Sequence, residues 1–181
     1  MPKILSPPPI LVYLRDDRGE VPSRRERKVQ VEQQLERMGL SLPQAPKPVA
    51  SYVPAIQTGS LVFTSGQIPT RDGILQYVGR VGEDLSVEEA YEAARLAALN
   101  ALAAVRTVVP YLDRIQRVVR LTGYVNSGPG FTGQPAVING ASDFLLELFG
   151  EAGAHSRAAV GVYALPLGAA VEIDMIVEVA G

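Results

Sequence analysis

Residues 86–110 read SVEEAYEAARLAALNALAAVRTVVP, the strongest helical pattern in the chain. Ser86 followed by Glu89 forms a capping box, in which each side chain accepts a hydrogen bond from the backbone N–H of the other residue. Apolar positions then recur at helical spacing to about Val109, and Pro110 ends the pattern. Because so many of these positions are alanine, we expect the helix to pack closely against a flat surface, as a β-sheet provides.

Strand patterns surround this helix. Stretches rich in β-branched residues and bounded by glycine, proline or polar loops predict strands, and they cover Tyr52–Gln57, Leu61–Ser65, Leu75–Arg80, Arg114–Val125, Ala158–Leu165 and Ala170–Val179. A second helix is predicted from about Pro135 to Phe149. The order from residue 50 is β-β-β-α-β-α-β-β. It predicts an α+β domain of two layers, with a mixed sheet of five to six strands and both helices on one face.

The last two predicted strands are separated by Pro166-Leu167-Gly168, where we expect a tight hairpin. The helices cover only one face of the predicted sheet. Strands this rich in Val, Ile and Leu, without a third layer, imply that subunits associate through the other face.

The chain before residue 50 has a different composition. Prolines at positions 2, 7, 8, 9 and 22 forbid regular structure over most of residues 1–23. This arm either docks on the domain as an extended strand or stays disordered. A helix capped by Ser23 and ended by Gly39 is predicted next, followed by a proline-rich connector. The predicted organisation is an arm at 1–23, a helix with its connector at 24–49, and one domain at 50–181.

Composition excludes several classes of protein. The 181 residues include no cysteine and one histidine, so thiolate chemistry, disulfides and histidine-pair metal motifs are excluded. A formal net charge of −2 gives no field that would attract nucleic acid or anionic lipid. No apolar run approaches the roughly 18 residues that span a bilayer, and nothing resembles a secretory signal. We therefore expect a cytoplasmic protein.

The common catalytic motifs are also missing. The sequence has no G-x-S-x-G elbow, no P-loop and no dinucleotide-binding glycine fingerprint. Three segments remain as candidates for chemistry: Thr64-Ser65-Gly66-Gln67-Ile68-Pro69, Ser156-Arg157 with the following strand to Leu165-Pro166, and Val171-Glu172-Ile173-Asp174.

Together these segments resemble the Rid family, also called YjgF or L-PSP. Its signatures are a [T/S]-S-G-Q-[I/L]-P turn, an arginine that opens a strand, an L-P hairpin and a final V-E-I-E-like strand. Tyr52 in the first predicted strand and Asn139 ahead of a helix also match the family pattern. The resemblance covers about residues 50–181. The segments Ala93–Leu102 and Phe149–Arg157 are similar to a longer subgroup whose reaction is poorly established.

The resemblance implies a chorismate-mutase-like fold and a homotrimer with clefts between subunits. It also implies a deaminase that needs no metal and no cofactor, and that hydrolyses small 2-imino or enamino acids released by pyridoxal-phosphate enzymes. Carried over residue by residue, the catalytic groups are Arg157 and Glu172. The residues that contact the substrate are Tyr52, Ser65, Gly66, Asn139 and Arg157.

The chemistry of these residue types agrees with those roles. Arg157 offers a planar set of donors that suits a substrate carboxylate. Gly66 lets a backbone N–H approach the substrate closely, and Glu172 can activate water or relay a proton. With the hairpin centred near Leu167, Arg157 pairs near Val177 and Glu172 near Val162, roughly 16 Å apart at about 3.3 Å per residue. A shared site would then take these two groups from neighbouring subunits.

Each assignment has a structural alternative. Arg157 could form an interface salt bridge, and Glu172 could be solvated or pair with an arginine. Tyr52 could be a packing residue and Asn139 a helix cap. Ser65 is better explained as part of a turn than as a nucleophile. His155 either lines the mouth of the cleft or caps a loop.

At the level of function, the alternative is a catalytically silent trimer that binds small carboxylates or 2-oxo acids. Arg157 would serve either function, whereas a pure binder has no need of Glu172. An endoribonuclease is the least supported, because the chain is acidic, has a single histidine and lacks a basic, aromatic groove.

Overall fold

A computed structural model of the protein, which describes residues 30–45 and 51–180, contains a five-stranded mixed sheet with two long helices on one face. The predicted α+β fold class is therefore confirmed. The elements in chain order are α1 (Gln30–Arg37), β1 (Ala55–Thr58), β2 (Leu61–Thr64), β3 (Thr70–Arg71), β4 (Ile74–Leu75), α2 (Val87–Val105), β5 (Ile115–Asn126), α3 (Gln134–Phe149), β6 (Ser156–Val162) and β7 (Val171–Val179).

The sheet has the strand order β1-β2-β7-β5-β6. Only β5 and β6 run parallel, joined through α3, and the other neighbours are antiparallel. Buried and less buried side chains alternate along β7, and the buried set faces α2, on the side of the sheet where α3 packs on β5 and β6. We call this side of the sheet the helix face and the other side the open face.

The predicted hairpin between the last two strands is wrong. β6 and β7 lie on opposite edges of β5, so Arg157 does not pair near Val177, nor Glu172 near Val162. The linking residues 163–170 form a 3-10 turn and bond to residues 77–79 instead. The short loop suggested a hairpin, but eight residues are enough to step across one strand, since strands lie only about 5 Å apart.

The capping box at the start of α2 is confirmed. Ser86 Oγ accepts from the Glu89 N–H at 3.1 Å, and Glu89 Oε2 accepts from the Ser86 N–H at 2.8 Å. The helix ends at Val105, four residues before the predicted end. The Thr107 hydroxyl donates to Ala104 O, which gives this carbonyl at the helix end a partner outside the helix.

Two strand predictions need correction. In the predicted strand Leu75–Arg80 only Leu75 is in a regular strand, as the last residue of the β3–β4 hairpin, and the chain from there to Arg80 is irregular. Tyr52 lies in a bend before β1 rather than within that strand, because Pro54 delays the start of regular pairing to Ala55.

The described part of the N-terminal helix packs against α3 and the turn before β5, and its Leu35 is buried in the main core. The proposed cap Ser23 and the arm at 1–23 lie outside the described residues. The division of the chain at residues 23 and 49 stays a prediction.

The two long helices approach each other closely at Gly140. A Cβ built at this position would lie 2.0 Å from the backbone oxygen of Tyr91 on α2. Tyr91 Oη also donates to Asp143 of α3 at 3.1 Å. This contact fixes how α3 lies on the sheet, and α3 carries Asn139 of the predicted site.

We expect Gly140→Ala to lower the free energy of unfolding by about 1–3 kcal/mol, because the added methyl group meets rigid backbone. Urea denaturation followed by circular dichroism measures this change. The matched control is Leu146→Ala, an exposed position of the same helix, which should change stability by about 0.5 kcal/mol or less. Equal stability of the Gly140→Ala variant and the wild type would contradict the close packing.

Candidate functional site

Arg157 lies near the start of the edge strand β6, with its side chain on the helix face. Its Nη1 donates to Asn139 Oδ1 at 2.8 Å and to Ser142 Oγ at 3.0 Å. Its Nη2 donates to Pro135 O at 3.4 Å. Several neutral oxygens of one helix therefore hold the guanidinium, which is still exposed.

The acceptors for Arg157 share one side of α3. Positions 135, 139 and 142 follow helical spacing, so they form a row along the helix beside β6. Asn139 lies inside α3, and not ahead of it as the family pattern suggested. It does not cap the helix either, because the N-cap residue is Gly133.

His155 extends this cluster behind Arg157. Its Nε2 lies 3.0 Å from Ser142 Oγ, and its Nδ1 lies 2.6 Å from Gly153 O. The ring is partly buried. We call Arg157, Asn139, Ser142 and His155 the arginine group.

Glu172 lies on β7, and its side chain points to the open face. The carboxyl group lies directly over Gly66, where a built Cβ would come within 1.7 Å of Glu172 Oε1. Only glycine leaves room for the carboxyl group here. Reciprocal backbone hydrogen bonds between Gln67 and Ile173, at 2.8 and 2.9 Å, fix the turn against β7.

Two further polar side chains accompany Glu172. Asp174 lies on the same face of β7, and its Oδ2 accepts from Tyr124 Oη at 3.0 Å. Burial raises the pKa of the Glu172 carboxyl above its ordinary value, and the charge of Asp174 raises that pKa further. We call Glu172, Gly66, Asp174 and Tyr124 the glutamate group.

Two predicted contact residues, Ser65 and Tyr52, precede Gly66 of the glutamate group in the sequence. The Ser65 hydroxyl donates to Val53 O at 2.7 Å, which agrees with its interpretation as part of a turn. Tyr52 is 53% exposed, so its ring contributes little to the core of this chain. Both roles in substrate contact stay predictions.

The two groups of one chain do not meet. Arg157 is paired with the buried Leu121, so it projects from the helix face, whereas Glu172 is paired with Tyr124 on the open face. Along the strand direction the two residues are three positions apart. Because β5 lies between β6 and β7, they are also two strand spacings apart across the sheet. At about 3.3 Å per residue and 4.8 Å per strand, their Cα atoms are roughly 14 Å apart.

Sequence reasoning missed Ser142 and Tyr124, and it gave Asp174 no role although this residue lies in a candidate segment. Ser142 could have been found, because it lies one turn after Asn139 on the predicted helix. Asp174 could also have been found, since alternation along a strand places it on the same face as Glu172. Tyr124 required the register between β5 and β7, which no local pattern gives.

Two clefts lie elsewhere. Openings of about 350 and 470 Å³ lie between residues 39–45, the β3–β4 hairpin and α2, and neither is lined by the arginine group or the glutamate group.

Among the described residues, no three His, Asp or Glu side chains are grouped so that they could hold a metal ion. None of the helices described is both long and apolar enough to cross a membrane.

We expect Glu172→Gln to stabilise the protein at neutral pH. The carboxyl of Glu172 has a higher pKa in the folded chain than in the unfolded chain, so stability is lost as the pH rises and this group ionises. Tm should rise by about 1–3 °C at pH 7–8. The gain should vanish near pH 4, where both states hold the proton.

The matched control for this measurement is Glu178→Gln. Glu178 lies on the same face of β7, but it forms an ion pair with Arg117 at 2.7 Å. Its replacement should give no increase in Tm at pH 7. An equal gain in both variants would show that Glu172 is not specifically destabilised.

Comparison with known proteins places the chain in one family. The family described as "YjgF/chorismate_mutase-like, putative endoribonuclease" matches residues 32–179. Protein TCP17 of Trypanosoma cruzi is 46% identical over 145 residues, which cover 80% of this chain and 91% of that protein. The crystal structure of Atu1372, a protein with unknown function from Agrobacterium tumefaciens, has a TM-score of 0.81 and 43% identity, covering 86% of this chain and 96% of that one.

A crystal structure from Shewanella oneidensis, which carries the same endoribonuclease description as the family, has a TM-score of 0.80 and 39% identity. It covers 83% of this chain and 99% of its own. The family match extends over the sheet, both long helices and all three candidate segments. The chain belongs to the YjgF family, also called Rid or L-PSP.

Proposed function

We propose that the protein hydrolyses small 2-imino acids, or their enamine tautomers, to 2-oxo acids and ammonia in the cytoplasm. Water adds to the imine carbon, and the resulting carbinolamine loses ammonia as its C–N bond breaks. One water is consumed, and one 2-oxo acid and one ammonia are formed. An iminium carbon is already electrophilic, so the protein needs only to hold the substrate and move protons.

The state of Arg157 is the observation that carries the substrate class of this proposal, a small carboxylate. Its three hydrogen-bond acceptors are an amide oxygen, a hydroxyl and a backbone carbonyl, all of them neutral. Within residues 30–45 and 51–180, no carboxylate forms a salt bridge with it. An oriented, exposed guanidinium whose charge is not neutralised suits a substrate carboxylate.

Glu172 supplies the proton transfer in this proposal. A carboxyl group whose pKa is raised by burial is a stronger base than an ordinary surface glutamate. It can take a proton from the attacking water and return it to the departing ammonia. The adjacent backbone at Gly66 can contribute an N–H donor to the substrate.

One active site would combine the arginine group of one subunit with the glutamate group of its neighbour. This arrangement follows from their positions on opposite faces of a single sheet, because no movement of side chains alone would join them. The open face also presents Ile56, Phe63, Val160 and Ile176, which favours burial against another subunit. A homotrimer provides such a repeated heterologous contact.

A protein that binds small carboxylates or 2-oxo acids without catalysis is the second candidate. The exposed guanidinium of Arg157 supports it equally well. The raised pKa of Glu172 favours the deaminase, because a binder of anions gains nothing from a carboxylate near the ligand. The same assay therefore separates the two functions.

The ribonuclease named in the family description has less support in this chain. Glu172 and Asp174 place negative charge in the glutamate group, where an RNA backbone would be repelled. The single histidine has contacts to both ring nitrogens, so it is not free to act as an acid or a base on RNA.

A coupled assay tests the deaminase. An amino acid oxidase generates 2-iminobutanoate or 2-iminopropanoate, and its decay is followed with and without the protein. Arg157→Ala should lower kcat/KM by about 10- to 100-fold through loss of charge-assisted hydrogen bonds. Glu172→Ala should lower kcat by about 100-fold or more.

The control for the assay is Arg71→Ala, an exposed arginine of β3 that belongs to neither group and lies outside the five-stranded sheet, which should keep wild-type rates. Decay no faster than in buffer with the wild type would reject the deaminase. If 2-oxobutanoate then binds to the wild type and not to Arg157→Ala, the binding function remains.

Subunit mixing tests the shared site. Arg157→Ala and Glu172→Ala chains with different tags are co-expressed, and the mixed assemblies are isolated. In every trimer that contains both variants, one of the three interfaces pairs an intact arginine with an intact glutamate, so about one third of wild-type activity should return. No recovery in verified mixed assemblies would mean that each site uses a single chain.

Charge on the open face should prevent assembly. Ile176, paired with Phe63 on the open face, is a suitable position for lysine. We expect Ile176→Lys to shift the mass measured by analytical ultracentrifugation from a trimer to a monomer, because a buried unpaired charge is costly. Leu146→Lys, at an exposed apolar position on α3, should remain trimeric. A trimeric Ile176→Lys variant would place the interface elsewhere.

A further inference from the structure

We propose that Ser142 and His155 are positioning residues for Arg157, and that the imidazole fixes the direction of the hydrogen bonds that orient the guanidinium. The inference deepens the proposed function, since it assumes that Arg157 receives a substrate carboxylate. It assigns His155 an indirect role, through Ser142 and Arg157, and no contact with the substrate.

The backbone determines which ring nitrogen carries the proton. Gly153 O can only accept a hydrogen bond, and it lies 2.6 Å from His155 Nδ1. Nδ1 must therefore carry hydrogen. In the neutral ring Nε2 is then a bare acceptor, the reverse of the tautomer that predominates for free histidine.

This tautomer sets the orientation of the serine hydroxyl. Ser142 Oγ lies 3.0 Å from His155 Nε2, so its hydrogen points to the ring. The lone pairs of Ser142 Oγ are left to accept from Arg157 Nη1, also at 3.0 Å. The hydrogen bonds run in one direction, from Arg157 through Ser142 and His155 to Gly153.

The chain of bonds orients Arg157 without neutralising it. A carboxylate in place of Ser142 would hold the guanidinium more strongly, but it would compete with the carboxylate of the substrate. A neutral relay reduces the rotamer entropy lost on binding and keeps the positive charge available. Removing the relay should therefore weaken binding of the carboxylate and leave the proton transfer at Glu172 unchanged.

The histidine can be observed directly, because the chain contains only one. In protein labelled with 15N histidine, the imidazole gives a single pair of nitrogen signals. At a pH where these shifts show a neutral ring, we expect the Nδ1–H tautomer. A ring in the Nε2–H form, or a rapid exchange between both, would overturn the proposal whatever the enzymatic activity.

Variants test the coupling to Arg157. Ser142→Ala and Arg157→Ala should each shift the Nε2 signal, while Nδ1 keeps its proton. Ser142→Thr, which keeps the hydroxyl, should give the wild-type Nε2 signal. Arg117→Ala, distant on β5, should leave the signal unchanged. An Nε2 signal that does not respond to Ser142→Ala would also overturn the relay.

Binding and kinetics then test the positioning role. Ser142→Ala and His155→Ala should raise the Kd for 2-oxobutanoate, and the KM for the imine, by about 3- to 30-fold with little change in kcat. Ser142→Thr and His155→Gln, which keep a hydroxyl and an acceptor, should recover most of this loss. An unchanged Kd in Ser142→Ala and His155→Ala, or a loss in kcat as large as the rise in KM, would overturn the positioning role.

The test of the proposed function is independent of the test of the relay from Arg157 to His155. If 2-oxobutanoate binds to the wild type with no measurable affinity and no imine is hydrolysed, the substrate class is wrong. The tautomer of His155 and its response to Ser142→Ala still decide whether the relay exists.

Discussion

The backbone pairing of β5 along both of its edges determines the rest of the structure. β6 runs parallel on one edge and β7 runs antiparallel on the other, so the two strands that carry Arg157 and Glu172 are never neighbours. The register then turns the two side chains to opposite faces of the sheet. The chain therefore presents two separate sets of candidate site residues, which the proposed function joins across a subunit interface.

The two groups differ in their electrostatics. Arg157 has only neutral partners, so its full positive charge remains for a ligand. Glu172 has a carboxylate neighbour and partial burial, which together favour its protonated form. An anion is attracted to the first group and a proton to the second, a separation that suits the proposed hydrolysis of an imino acid.

Local patterns predicted most of the elements, but not how they are arranged. The capping box and the alanine-rich face located α2, and the order of helices and strands gave the fold class. The pairing of β6 with β5 could not be predicted, because the loop at 163–170 is compatible with either a hairpin or a step across one strand. For the same reason, the predicted distance between Arg157 and Glu172 was calculated from a β6–β7 hairpin that the structure does not have. Ser142 and His155 meet only because the turn before β6 returns the chain to α3.

The strand order also leaves β1 and β6 as the edges of the sheet. An edge strand exposes unpaired N–H and C=O groups that can recruit any other extended chain. β6 adds Val160, which is 42% exposed, and residues 156–162 contain no lysine and no proline that would discourage such pairing. A single subunit is therefore prone to aggregate at the same strand that carries Arg157. In the proposed trimer, cover of this strand would protect solubility as well as the site.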